Sequence, residues 1–357
     1  MKPDLLDLYT DYLMTSTGRT TATGMSEMLE GALSHDAITR FLSSEEKNSK
    51  TLWQQVKPVV REVEREEGVV IFDDTIQDKS YSKENDMICY HWDHSKGRNI
   101  KGINLLNCLY HAGGINIPIG YEIVKKTEKF VDKKTGKEKR KSEKNKNEMF
   151  REMIDQTVKN QLKFKYILAD IWFSSTENME HIKKRHGKDF VMGVKANRLV
   201  ALSGQDKKAQ RYSRVEDLDM PTDTVQEVWM KGVSFPMLLF KKVFTNKDGS
   251  IGVMYLVCSD LTLTADQLYE LYQKRWNVEE FHKSVKCNAS LGKSPARTLK
   301  TQGNHIFASI FAYFKFEQMK MKTHLNHFAL KSKIYMKALK TAFQELQSLK
   351  NDLQISD

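Results

Sequence analysis

Carboxylates follow two short apolar runs of the chain, where folded strands could position them for chemistry. The β-branched run Val69 to Phe72 leads into Asp73 and Asp74, and the run Tyr166 to Ala169 leads into Asp170. Runs of this kind predict buried strands that carry acids at their ends. Acids at strand ends are common, so neither motif identifies a site by itself.

A third carboxylate, Glu279, falls on a long helix that is predicted to begin near Ala265, where Thr264 and Gln267 suit a capping box. At about 100° per residue, positions spaced by seven fall nearly on one line. Tyr272, Glu279 and Lys286 are spaced in this way, and Arg275 and Lys283 lie beside their line, so the acid sits in a cationic stripe. The neighbouring apolar stripe, which we expect to pack on a sheet, is Leu271, Val278, Phe281 and Val285. The simpler interpretation is a solvated face with i,i+4 ion pairs.

The spacing within this helix resembles a known signature. Four residues of the segment YQKRWNVEEFHKSVK agree, in type and in all three gaps, with the Tyr-Arg-Glu-Lys signature of the DDE transposases of insertion-sequence family four and its close relatives. These residues are Tyr272, Arg275, Glu279 and Lys286. Agreement at four specified positions within 15 residues favours the family over a merely solvated helix face.

The two strand-end acids also fit this family. Asp73 and Thr75 match its Asp-x-Thr pattern, while Asp170 and Phe173 match its Asp-x-(small or Trp)-aromatic pattern. Asp74 is an alternative to Asp73, and the register of Thr75 favours Asp73. The resemblance therefore implies the catalytic set Asp73, Asp170 and Glu279.

The resemblance implies an α/β fold with an RNase-H-like catalytic core. In such a core the first Asp ends the first strand, the second follows the fourth strand, and the Glu projects from a late helix. We therefore expect a helical N-terminal DNA-binding domain at 1–66, a catalytic domain at 67–300 and a helical C-terminal region at 301–357. The strand-rich stretch at about 196–252 is similar to the β-insertion of the family's relatives.

The same resemblance implies a metal-dependent reaction. In-line displacement at a phosphodiester builds negative charge on the attacking and leaving oxygens, and two divalent cations can stabilise both. Hard Mg²⁺ prefers oxygen ligands, and Mn²⁺ should substitute for it. We expect Asp73 to bridge two such ions, with Asp170 and Glu279 each holding one.

Residues around the acids are expected to contact DNA. By resemblance, Tyr272, Arg275 and Lys286 would contact phosphates near the transposon end, and Lys283 lies beside them. Phosphate contacts of this kind position a duplex without reading its sequence. Two tryptophans next to catalytic positions, Trp172 and Trp276, could stack on an extruded base, but burial in the core is the favoured interpretation.

Near the N-terminus, apolar spacing predicts helices, and Gly31 interrupts them. Ser34 can then cap a second short helix, His35 to Leu42. Two short helices around a tight turn could form a helix-turn-helix in which Arg40 faces DNA. A plain helical packing domain is the alternative.

Other segments complete the pattern. Ile103 to Tyr110 and Ile115 to Tyr121 predict a hairpin, and residues 133–146 predict a basic loop that could follow DNA or remain merely solvated. For the cluster His91, Asp93 and His94, a turn or DNA-contact role is preferred over a metal site. Further strands are predicted at Phe190 to Val194, Val225 to Met230, Met237 to Phe244 and Ile251 to Val257, and more helices at about 302–350.

Composition limits the class of protein. Lys and Arg number 57 against 46 Asp and Glu, a formal charge of +11, and the isoelectric point is about 9.2. This excess predicts a polyanionic partner, with nucleic acid the first candidate. The four cysteines have neither disulfide-framework nor zinc-finger spacing, which favours a reducing cytoplasm. The apolar segment Ile306 to Phe316 is too short for a membrane span and predicts a buried helix.

Together these features predict a bacterial, cytoplasmic and nucleoid-associated transposase. Its partners would be transposon-end and target DNA, and pairing of two ends makes a homodimer the expected active form. One alternative is an RNase-H-like nuclease that cuts without joining. The other is a non-catalytic DNA-binding repressor derived from a transposase, although such a decayed protein should have lost at least one of the three acids.

Overall fold

A computed structural model describes residues 4–93, 96–133 and 135–354, with side chains to residue 351. The chain forms two compact units. One, the helical unit, comprises the residues up to Leu52 and those from Phe281 onward. The other, the sheet unit, is Trp53–Glu280.

The described helices, in chain order, are α1 (Leu5–Thr15), α2 (Ala22–Met28), α3 (His35–Ser43), α4 (Ser49–Val63), α5 (Lys146–Lys159), α6 (Thr176–Glu180), α7 (Gly204–Lys208), α8 (Ala265–Gln273), α9 (Trp276–Cys287), α10 (Leu299–Thr323) and α11 (His327–Gln354). The strands are β1 (Val69–Asp78), β2 (Cys89–Asp93), β3 (Arg98–Ala112), β4 (Ile115–Ile123), β5 (Glu128–Val131), β6 (Glu138–Lys141), β7 (Tyr166–Ala169), β8 (Asp189–Val194), β9 (Leu199–Ala201), β10 (Ser213–Arg214), β11 (Thr224–Met230), β12 (Met237–Thr245) and β13 (Ile251–Cys258). Single turns are 3₁₀ at Ile171–Phe173 and Val215–Asp217, and π at His181–Arg185.

The helical unit has its own apolar core. Tyr9 and Leu13 of α1 pack with residues of α2, α3 and α10, including Met25, Ile38 and Phe316. The predicted break before α3 is confirmed, since Gly31 has a φ of 76° and the Ser34 hydroxyl accepts a hydrogen bond from the Ala37 N–H. The left-handed conformation of Gly31 prevents the helix from continuing, and the capping serine begins the next helix.

The sheet unit is built on one large mixed sheet. Its strand order is β10-β9-β11-β12-β13-β8-β7-β1-β3-β2, and β4 also pairs with β3. The pairs β1 with β7 and β7 with β8 are parallel, while the other pairs are antiparallel. The chain is thus a mixed α/β protein, as predicted. The strands within 196–252 extend this same sheet, because β13 pairs with β8.

The first strand differs from its prediction. It was expected to end at Phe72, but β1 continues to Asp78 because β3 pairs with it along its whole length. Its parallel pairing with β7 does end there, at Phe72 opposite Ala169. Asp73 and Asp170 are therefore the next residues on two neighbouring strands, at the point where those strands stop pairing.

Other predicted elements had mixed outcomes. The hairpin is confirmed as β3 and β4, with Gly113 and Gly114 at positive φ in its turn. The prediction of a loop at 133–146 was wrong, since β6 pairs with β5 and α5 begins at Lys146. Within that stretch, Lys134 lies outside the described residues.

For the cluster His91, Asp93 and His94 a turn or DNA-contact role was expected, and the DNA contact stays a prediction. Asp93 does bond to the backbone just after β2, since its Oδ1 accepts a hydrogen bond from the Lys96 N–H. His91 lies in β2 and is buried, while His94 is outside the described residues. The segment Ile306 to Phe316 is indeed largely buried within α10. Among the described residues, no helix combines the length and apolar character that crossing a membrane requires.

A glycine holds two strands of the sheet close together. A Cβ built on Gly102 of β3 would lie 2.4 Å from the Gln77 carbonyl oxygen of β1. Because this neighbour is backbone, the clash cannot be relieved by a rotamer change. We expect Gly102→Ala to destabilise the protein by roughly 1 to 3 kcal/mol in chemical denaturation. Gly18→Ala, where the added atom would meet nothing within 4 Å, is the control; equal stability of the two variants would contradict this packing.

Candidate active site

Asp73 is held by contacts on both carboxylate oxygens. Its Oδ1 accepts a 2.8 Å hydrogen bond from the Asp74 N–H, and its Oδ2 lies 3.2 Å from Nη1 of Arg275. The side chain is only 15% exposed. It is therefore an acid kept in a fixed orientation at the edge of the core.

Arg275 joins two of the predicted catalytic acids. Its Nη1 contacts Asp73 and its Nη2 lies 3.2 Å from Oε1 of Glu279. The guanidinium is buried, whereas the Glu279 side chain is 47% exposed. A rigid fork of N–H groups suits this bridging role better than the single ammonium of lysine. Asp73 and Glu279 are thus brought to the same cation although 206 positions separate them in the chain (279 − 73).

This arrangement depends on a break in the predicted long helix. Thr264 and Gln267 do form the capping box of α8, but that helix ends at Gln273 and α9 starts at Trp276. The Arg275 N–H bonds to the Tyr272 carbonyl, a three-residue spacing that tightens the backbone. The straight line through Tyr272, Glu279 and Lys286 was therefore wrong, because the helical phase changes within it.

Asp170 caps the 3₁₀ turn that follows β7. Its Oδ1 accepts a 2.9 Å hydrogen bond from the Trp172 N–H. Burial raises the pKa of this carboxyl, and the negative charge of Asp74 adds to the rise, while Arg275 and Lys146 oppose it. Asp170 is thus electrostatically linked to the acids of β1.

Asp73 is the most strongly perturbed acid of this group. Burial raises its pKa to about 7, and the neighbouring charge of Asp170 contributes to the rise. Arg275 lowers the pKa but does not compensate for burial. A buried carboxyl with a raised pKa and an acidic neighbour marks a position where a bound cation would be stabilising.

Asp74, the alternative to Asp73, has a different set of partners. Its Oδ2 accepts a 2.7 Å hydrogen bond from Asn104, and its Oδ1 pairs with Lys146 at 2.9 Å. Both partners of Asp74 lie outside the set of predicted site residues. Asp73 shares its cation with Glu279 instead, which favours Asp73 as the acid that acts together with Glu279.

The tryptophans are not core residues. Trp276 is 58% exposed and Trp172 is 48% exposed, so the interpretation of both as buried was wrong. Cations lie over both rings, with Arg275 5.3 Å from the Trp276 centroid and Lys146 5.5 Å from that of Trp172. Both side chains are therefore about half exposed, with a cation over one face of each ring.

The remaining predicted DNA contacts have varied environments. Tyr272 is buried, with Arg275 5.7 Å from its ring centroid. On the part of α9 that belongs to the helical unit, Lys283 is exposed above Phe328 and Lys286 is half-buried. Arg40 is exposed on α3.

The basic stretch 133–146 is extensively paired with acids. Five of its cations have acidic partners, namely Lys139, Arg140, Lys141, Lys144 and Lys146. Ion pairs at the surface are weak and exchange readily, so pairing lowers but does not remove the attraction of this stretch for a polyanion.

A cationic cleft adjoins Asp170. It has a volume of about 760 Å³, and its lining includes Trp172, Lys195, Arg198 and Lys231. Sequence patterns alone did not point to these cations. The sequence feature that could have indicated them is the run VKANR, in which Lys195 directly follows the predicted strand Phe190 to Val194.

The acids fit divalent cations chemically. The donor set is all carboxylate oxygen, which suits hard ions such as Mg²⁺. Crowding and burial raise the pKa of Asp73, and bound cations would relieve both effects. Arg275 supplies one positive charge between Asp73 and Glu279, less than the charge of one divalent ion.

The sheet unit places Asp73 and Asp170 where β1 and β7 stop pairing, an arrangement that suits metal-dependent chemistry on phosphodiesters. Residues 3–217 match the family model of the DDE superfamily endonuclease, which is more than half of the chain, and the chain belongs to this family. The matched range contains Asp73 and Asp170 and ends before Glu279. Membership gives the chain a transposase- or nuclease-type function on DNA. A search of curated proteins found no match.

The raised pKa of Asp73 should make the stability of the protein depend on pH. Its pKa is about 7 in the folded protein against 3.8 for the ordinary group, so the folded state keeps a proton that the unfolded chain loses. Stability should therefore fall as pH rises from about 4 to 7. Without divalent cations, Asp73→Asn should be more stable than the wild type at pH 8 by on the order of 1 to 3 kcal/mol, and the gap should close toward pH 4.

Asp74→Asn is the matched control for this measurement. It weakens the pair with Lys146 and should lower stability at pH 8. Chemical denaturation of the three proteins at several pH values gives the comparison. If the stabilities of the wild type and of Asp73→Asn changed in parallel with pH, ionisation of Asp73 would not destabilise the folded protein, and the prediction would be refuted.

Proposed function

We propose that this protein is a DNA transposase that binds the ends of an insertion sequence, cleaves the DNA and joins the 3′ ends to target DNA. The observation that carries the proposal is the gathering of Asp73 and Glu279 on one guanidinium, with Asp170 close enough to raise the pKa of Asp73. These are the three acids that the transposase signature requires. The assignment to insertion-sequence family four is part of the proposal.

The RNase-H-like layout of the catalytic core is also proposed, and strand order supports it. The strands β4, β3 and β1 are antiparallel neighbours, and β7 and β8 follow in parallel on the other side of β1. When β2 and the β5–β6 hairpin are set aside, Asp73 lies on the first strand of this core and Asp170 follows the fourth.

The acids have distinct proposed roles. Asp73 would contact two Mg²⁺ ions, for which Mn²⁺ would substitute, while Asp170 and Glu279 would each hold one. When bound, such ions stabilise the negative charge that builds on the attacking and leaving oxygens of the phosphodiester. The hydrogen bonds from the Asp74 and Trp172 N–H groups fix Asp73 and Asp170 in orientation before any ion arrives. This preorganisation lowers the cost of assembling the site.

The chain's cations would orient the DNA. Arg275 and Lys286 are proposed to contact phosphates together with Tyr272 and Lys283, and exposed Trp276 to stack on a base. The partly buried position of Arg275 makes its contact depend on release from at least one of its two carboxylates. Such release is favoured when divalent ions take over the neutralisation of those acids.

Domain roles and assembly complete the proposal. Residues 1–66 would read DNA through α2 and α3, with Arg40 toward the duplex; the exposed position of Arg40 supports this. The catalytic domain would be 67–300 with its insertion at about 196–252, followed by the C-terminal region 301–357. A homodimer would pair the two transposon ends.

The decisive experiment uses the DNA that flanks the protein's own coding sequence, because that DNA would contain the element's ends. Labelled flanking fragments and a target plasmid are incubated with the protein and Mg²⁺ or Mn²⁺. Joined products support transposition. Cutting without joining would support the nuclease alternative, and binding alone would support the repressor.

Variants then test the acids one at a time. Asp73→Asn, Asp170→Asn and Glu279→Gln should each lower cleavage at least about a thousandfold, since each removes several kcal/mol of charge stabilisation from the transition state. DNA binding in gel-shift assays should remain. The matched control is Glu280→Gln, because Glu280 is the exposed neighbour of Glu279 on α9. Cleavage retained by any of the first three would remove that residue from the catalytic set.

The cationic cleft beside Asp170 should contribute to DNA affinity. The variant Lys195→Ala/Lys231→Ala removes two exposed cations of its lining. Binding should weaken for all sequences alike, and the slope of log affinity against log salt should become shallower by about 1 for each phosphate that is no longer neutralised. Lys247→Ala, at an exposed turn lysine outside the lining, is the control. An unchanged slope in the double variant would place the DNA elsewhere.

A further inference from the structure

A second group of potential metal ligands lies in the sheet unit, among residues that the transposase proposal does not use. Asp155 of α5 faces His181, the first residue of the π turn after α6, and His186, the residue that follows this turn. One potential ligand atom from each residue falls within 4.8 Å of the other two. Both imidazole Nε2 atoms approach the same carboxylate oxygen, Oδ1 of Asp155, at 2.7 Å and 2.6 Å.

The π turn is what brings the two histidines together. In a regular α-helix, residues five apart differ by about 140° around the axis and face different directions. The π turn at His181–Arg185 widens the helix by one residue, and the two rings then lie with centroids 4.9 Å apart at an interplanar angle of 70°. Turns of this kind are rare and often mark functional positions.

The donors suit a different ion from the three acids of the catalytic site. Two imidazole nitrogens and one carboxylate oxygen form the 2-His-1-carboxylate set found in zinc sites that leave a fourth position for water. Imidazole favours zinc and similar transition ions, whereas Mg²⁺ prefers oxygen.

An ion from solvent can reach this cluster. The histidine side chains are 10% and 12% exposed, and that of Asp155 is 35% exposed. Arg185 also contacts Asp155, at 3.4 Å on the other oxygen, Oδ2, but its own side chain is largely exposed. Ion binding at Oδ1 therefore needs no burial of the arginine and no opening of the core.

We propose that Asp155, His181 and His186 bind one zinc-type divalent cation that clamps α5 to the segment after Asp170. That segment is already tied to α5 by Arg151, whose Nη1 donates to Asn178 at 2.7 Å. The ion would add metal–ligand bonds about one helical turn along α5 from Arg151. Its role is structural support of the strand-end region that carries Asp170, and it is independent of the reaction on DNA.

The test is zinc binding to the full-length protein with Mg²⁺ in large excess, so that the three acids of the catalytic site are already occupied. Calorimetry should find one zinc ion per chain. His181→Gln, His186→Gln and Asp155→Asn should each weaken binding by at least about tenfold. His35→Ala, which removes an exposed histidine of α3, should bind as the wild type does. Zinc should raise the Tm of the wild type and of His35→Ala by several degrees, and that of the three ligand variants by less.

Two results would overturn the proposal. One is wild-type zinc affinity in both histidine variants, which would mean that the three side chains form only a hydrogen-bonded group. The other comes from X-ray absorption at the zinc edge on the unaltered protein with one equivalent of zinc, a measurement that does not depend on how the variants fold. A shell of two imidazoles and oxygen supports the site, and an all-oxygen shell refutes it.

Discussion

The candidate site depends on one constraint, which is the repulsion between acids on neighbouring strands. Parallel pairing of β1 with β7 ends at Phe72 and Ala169, so the chain places Asp73 and Asp170 side by side. Two largely buried carboxylates this close are costly unless a cation or a proton compensates them. In the protein alone, Arg275 and the raised pKa of Asp73 supply that compensation. Arg275 lies in the break between α8 and α9, and from there it contacts Asp73.

Arg275 therefore has two opposing effects on function. It holds Asp73 and Glu279 near each other before DNA or metal arrives, which reduces the ordering that binding would require. It also occupies oxygens that divalent ions would use. A divalent ion has twice the charge of a guanidinium and binds oxygen directly, so it can displace one of these contacts. Under the proposed function, the released N–H groups would then be available to a phosphate, so that metal binding and DNA binding would favour each other.

Much of the fold could be predicted from local sequence, but the contacts between distant segments could not. The strand Tyr166–Ala169 and the caps at Ser34 and Thr264 follow from apolar runs and capping residues that act within a few positions. The extension of β1 past Phe72 depends on pairing with β3, which local patterns do not encode. The same holds for exposed Trp276, whose apolar character alone suggests a core position.

The two clusters of potential ligands differ in how far the sequence reveals them. The three acids were predicted from a family signature around Glu279 and from short motifs at Asp73 and Asp170, whereas physical reasoning from one helix left a solvated face equally acceptable. His181 and His186 carry no such signature, and regular helical geometry argues against their meeting. Only the π turn reverses that argument. Oxygen donors favour Mg²⁺ and imidazoles favour zinc-type ions, so the donor sets of the two proposed sites would favour different metals. Because zinc also binds carboxylates, an excess of Mg²⁺ would be needed as well to keep zinc from the three acids.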